Sequence, residues 1–104
     1  MKDIYDILEE VKKDPKQYLG RTSVIALKGF INGYILAKRD MGIPLTDREE
    51  DFQKFQEWMN LRFSRYCIKE TAWDKIFVLL SNDENGALNS FFYQLESFKV
   101  RQEK

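Results

Sequence analysis

Apolar residues recur along this chain at three- and four-residue intervals. Ile4, Ile7, Leu8 and Val11 repeat at i, i+3, i+4 and i+7, with acids and lysines between them, which is the pattern of a short amphipathic helix. Pro15 places its end at or before Asp14, because the residue preceding a proline avoids the α region. Lys16 to Gly20 reads as a turn, with Tyr18 and Leu19 tucked inward and Gly20 a candidate for positive φ. A second helix is predicted from about Ser23 to Met41, capped by Thr22 or Ser23. Its stripe is Leu27, Ile31, Tyr34 and Ile35, widened by Val24 and Phe30, and Gly42 and Pro44 stop it.

Thr46-Asp-Arg-Glu49 matches a capping box and opens a third helix carrying Phe52, Phe55, Met59 and Phe63. Thr71-Ala-Trp-Asp74 opens a fourth by the same logic. The apolar run from Ile76 to Leu80 then reads as a buried helix, because the chain offers no second strand to pair with it. Ser81 to Asn85 punctuates, and a fifth helix reaches about Val100 with Leu88, Phe91, Phe92, Leu95 and Phe98 inward. The predicted fold class is all-α, a single-domain bundle of about five helices. Gly29 and Gly33 share one face of the second helix, where each costs roughly 1 kcal/mol against alanine. Close approach of a neighbouring helix, the fifth, is the expected compensation, and Gly33→Leu should then overpack. Tyr5, Tyr66 and Tyr93 are the tyrosines expected nearest the surface.

Composition narrows the chemistry more than it narrows the fold. The 104 residues include no histidine and one cysteine, Cys67. The usual general base, the commonest transition-metal ligand and the Ser-His and Cys-His pairs are therefore missing. Cys67 reads as a small buried apolar residue, since a lone cysteine forms no internal disulfide. Glu-x-x-His metal pairs, calcium loops and phosphate-binding glycine loops are all missing from the sequence. No catalytic, metal or cofactor residues are expected. The N-terminus interleaves acids with aliphatics, unlike a signal peptide, and no stretch approaches the ~20 apolar residues of a membrane span. A cytoplasmic protein without membrane attachment is the expectation.

Lys plus Arg equals Asp plus Glu at 17 each, so the basic excess of a general nucleic-acid binder is lacking. A local basic group of Lys12, Lys13, Lys16, Arg21, Lys38 and Arg39 nevertheless supports a competing expectation, a helical nucleic-acid-associated or regulatory module. The acids gather at Glu9-Glu10, at Asp47 to Asp51 and at Asp83-Glu84. The last two groups sit at helix starts, where they complement the dipole.

Several segments fall in a suggestive order. Asp14-Pro-Lys-Gln-Tyr-Leu-Gly20, Ser23-Val-Ile-Ala-Leu27 and Phe30-Ile-Asn-Gly-Tyr34 are followed by Phe55-Gln-Glu-Trp58, Thr71-Ala-Trp73 and Phe91-Phe-Tyr-Gln-Leu95. This order resembles a family of small bacterial all-α proteins, some of which are similar to immunity proteins of polymorphic or contact-dependent toxin systems. The resemblance implies a non-enzymatic domain that neutralises one cognate protein toxin by occlusion, and it brings no catalytic residues with it. Were the toxin a nuclease, its basic cleft would accept an acidic face. The candidate partner-binding residues are Asp47, Glu49, Glu50 and Asp51, with Asp83 and Glu84 next. Reversing Glu50 and Asp51 to Lys should then leave folding nearly untouched.

Overall fold

The computed structural model describes residues 2–64 and 72–101, and among these every regular element is helical. In chain order they are α1 (Ile4–Lys13), α2 (Pro15–Leu19), α3 (Val24–Asp40), α4 (Asp47–Phe52), α5 (Phe55–Arg62), α6 (Trp73–Leu80) and α7 (Glu84–Lys99). The all-α bundle is as the periodicity predicts, with two refinements. The segment read as a turn after Pro15 closes into the single-turn α2, with Pro15 at its first position and Gly20 ending it at φ +76°. The predicted third helix is two helices, α4 and α5.

That break has a physical origin in the aromatic core. At Gln53 and Lys54 the backbone tightens, and their N–H groups donate to the carbonyls of Glu50 and Asp51 in i→i+3 fashion. The tightened turn stacks Phe52 on Phe55, with ring centroids 5.5 Å apart and planes within 12°. Phe55 is fully buried and meets Trp73, Phe91 and Phe98 edge-on at 5.3 to 5.6 Å. Aromatic pairs in such geometries gain about 0.5–1.5 kcal/mol each beyond their area burial. The helix bends to let one phenylalanine reach them all.

The helix ends follow local chemistry. Asp3 and Asp6 form a reciprocal capping box on α1, and Ser23 Oγ accepts from Ala26 N–H to start α3. The end of α3 is a Schellman motif: Gly42 N–H donates to the Arg39 carbonyl and Ile43 N–H to that of Lys38. Thr71 lies outside the described residues, as do Tyr66 and Cys67, and the cap of α6 differs from expectation. Ala72 is the N-cap and contributes no side-chain bond. Instead Gln56 Oε1 of α5 accepts from Trp73 N–H at 2.8 Å. Asp74, predicted to complete a local box, is buried, and Lys28 of α3 lies 3.9 Å away.

Other expectations give way to packing. Tyr5 is buried, while Tyr93 is exposed as predicted. Within the apolar run of α6 only Ile76 and Phe77 enter the core, and Val78, Leu79 and Leu80 face outward. Gly29 and Gly33 are not packed against α7 or any other helix. Both are exposed, and a Cβ added at either would meet nothing within 4 Å.

Candidate functional site

The acidic start of α4 is the predicted docking surface, and the structure separates its residues by role. Thr46 and Glu49 make the expected capping box: Glu49 N–H donates to Thr46 Oγ1 at 3.1 Å, and Thr46 N–H to Glu49 Oε1 at 2.9 Å. The carboxylate does more than cap. It also accepts from Lys38 Nζ at 2.5 Å, from the Tyr34 hydroxyl, and from Ile4 N–H of α1 at 3.2 Å. Glu49 is therefore wholly buried and cannot touch a partner. Its expected place on a docking face is corrected to a structural one.

Burial alone would raise the pKa of this carboxyl, because a low-dielectric site disfavours the charged form. Hydrogen bonds from Lys38, Tyr34 and Thr46 N–H outweigh that and hold it at about 2. The same bond to Glu49 pushes the Lys38 ammonium above its ordinary value. With its lone pairs taken up, Glu49 is a fixed anion at neutral pH rather than a group that exchanges protons.

Asp51 is engaged through both of its oxygens. Arg101 grips it through Nη2 to Oδ1 at 2.7 Å and Nη1 to Oδ2 at 3.3 Å, and the Tyr5 hydroxyl donates at 3.1 Å. The Arg101 bond is the main reason its carboxyl titrates below the usual range. Tyr5 shifts the other way, through burial and the adjoining Asp51 charge. The expectation that Asp51→Lys leaves folding untouched is thereby corrected, since it would set a cation against Arg101.

Asp47 and Glu50 are the exposed acids of the group, and neither makes an ion pair or side-chain hydrogen bond among the described residues. They border a shallow depression of about 560 Å³ shared with Leu45, Asp51, Gln53 and Lys54. The second acidic group is elsewhere. Asp83 Oδ1 accepts from Gly86 N–H as the N-cap of α7, and Glu84 pairs with Arg21. Arg101, which holds Asp51, follows the opposite end of this 16-residue helix, so roughly 24 Å of helix separates the two acidic groups. They form two surfaces.

The basic group also divides. Lys38 is buried on Glu49, while Arg21 pairs with Glu84 and Arg39 with Asp40 at the surface, and Lys12, Lys13 and Lys16 are exposed. Sequence reasoning missed the Tyr34–Lys38–Glu49 cluster, although a signal was present. Lys38 continues the buried register of Leu27, Ile31 and Tyr34, a position that demands an anionic partner for an ammonium. Among the described residues there is no group of three or more acid or cysteine side chains placed to hold a metal, and no helix long and apolar enough to cross a membrane. No family model, curated protein or solved structure matches this chain.

Proposed function

We propose that this chain is a non-enzymatic protein-binding domain, an immunity protein that neutralises a cognate bacterial toxin by covering its active site. The observation that carries the proposal is the pair of unengaged carboxylates, Asp47 and Glu50, beside an open depression on α4. Anions left unpaired next to a recess, on a helix anchored from below by Glu49, suit a cationic cleft such as that of a nuclease. The docking surface is accordingly narrower than the sequence suggests: Asp47 and Glu50 form it, because both oxygens of Asp51 are engaged by Arg101 and Tyr5. Asp83 and Glu84 lie outside it. The order of the Asp14–Gly20, Phe30–Tyr34 and Phe91–Leu95 segments, which resembles that of small bacterial all-α proteins of which some are similar to immunity proteins, points the same way.

The test is co-expression with the product of the adjacent gene, followed by pull-down and a growth-rescue assay. Rescue by the parent chain and its loss in an Asp47→Lys, Glu50→Lys variant of unchanged stability is the expected result. Failure to bind or to rescue against any neighbouring gene product would remove the basis for the proposal.

A further inference from the structure

The groove between α7 and the joint of α1 with α2 carries polar side chains that the fold does not use. Asn85, Asn89, Tyr93 and Ser97 stand at four-residue intervals on α7 and so form one ridge of it. All four line a depression of about 390 Å³, which Leu88 and Phe92 of the same helix also line and to which α1 and α2 contribute Lys12 and Pro15. Leu88 and Phe92 are core residues, whereas Asn85, Asn89 and Tyr93 are exposed, Tyr93 by 68%. None of the four ridge side chains makes a hydrogen bond among the described residues.

We propose that this groove binds an extended polypeptide segment of another protein, its main chain running along the ridge and an acidic side chain meeting Lys12. Successive ridge residues are about 6 Å apart along the helix, close to the roughly 6.6 Å spanned by two residues of an extended chain. An asparagine amide both donates and accepts, and so does each main-chain residue that would pass it. Alternate side chains of an extended chain point the same way, which turns every second one onto Leu88 and Phe92.

The charges select the ligand's chemistry. Lys12 in the groove, with Lys13 beside it and Lys16 beside Pro15, is exposed, and none of the three makes an ion pair among the described residues. Glu96, which also lines the groove, is held by Lys99 at 3.4 Å. The exposed acids Glu9 and Asp14 interleave with the lysines. A positive field broken up in this way suits a single carboxylate and not the continuous charge of a nucleic-acid backbone. This inference does not rest on the proposed toxin-binding function, which uses α4.

Selection of a random peptide library on the full chain, followed by NMR shift mapping with the tightest synthetic peptide, tests it. The shifts should centre on the side-chain amides of Asn85 and Asn89 and on Tyr93. Asn89→Ala should weaken the peptide about three- to tenfold without lowering the Tm, because alanine is the better helix former. Lys12→Glu should weaken it further at a Tm close to the parent's, while Asn82→Ala, which borders a different recess, should leave affinity unchanged. Methylating every second main-chain nitrogen of the peptide should weaken it in the register that faces the ridge and not in the other. A selection that yields no binder overturns the proposal. So does a peptide whose shifts fall on another surface, or one whose affinity ignores Asn89 and its own main-chain methylation. A single-stranded oligothymidine that shifts the same residues at lower concentration than any peptide would also overturn it, in favour of a nucleic acid.

Discussion

The carboxylate of Glu49 ties α1, α3 and the start of α4 together, so its substitution should be felt well beyond the cap it completes. Glu49→Gln leaves the Lys38 ammonium buried without a counter-charge, a defect that typically costs 3–5 kcal/mol. Thr46→Ala removes only the cap bond and should cost about 1 kcal/mol. Chemical denaturation of both variants checks the contrast, and similar losses would mean that the buried ion pair adds nothing to the cap. The same residue sets a pH dependence. Its pKa is depressed from 4.5 to about 2 in the folded chain, so its contribution is complete above the unfolded value and lost as pH falls from about 4.5 towards 2. The shift corresponds to on the order of 3 kcal/mol. Stability measured between pH 5 and pH 2 should fall less steeply in Glu49→Gln than in the parent.

At the scale of elements, what the periodicity predicted and what it missed have separate causes. Helix starts governed by short-range chemistry were legible, as in Ser23 before α3 and the Thr46–Glu49 box before α4. The break between α4 and α5 was not, because it answers to Phe55 meeting rings from α6 and α7. Nor was the cap of α6, which comes from Gln56 across the fold. Gln56→Ala should leave the buried Trp73 N–H without its acceptor and cost about 1–3 kcal/mol in a denaturation experiment. The glycine pair reverses an expectation. With open space around both positions, Gly33→Leu has nothing to overpack. Each glycine changed singly to alanine should stabilise the dilute chain by up to about 1 kcal/mol, and a loss of stability would place a neighbour against that face.

Across the whole molecule, the all-α architecture could be read from hydrophobic spacing alone, whereas the candidate site could be read only in part. Charge runs locate acids along the chain but do not say which of them the fold consumes. Glu49 belongs to Lys38 and Tyr34, Asp51 is shared with Arg101 and Tyr5, and Asp83 caps α7. Each of those partners comes from a distant element or from backbone geometry, which one-dimensional spacing does not encode. What remains for an outside partner is Asp47 and Glu50. The most direct measurement is titration calorimetry of the adjacent gene's product against the parent chain and against Asp47→Lys with Glu50→Lys, each at low and high salt. The proposed function expects tight binding by the parent that weakens with salt, and binding by the variant at least about tenfold weaker with a shallower salt dependence. Equal affinity for both chains, or a parent whose binding ignores salt, would contradict it.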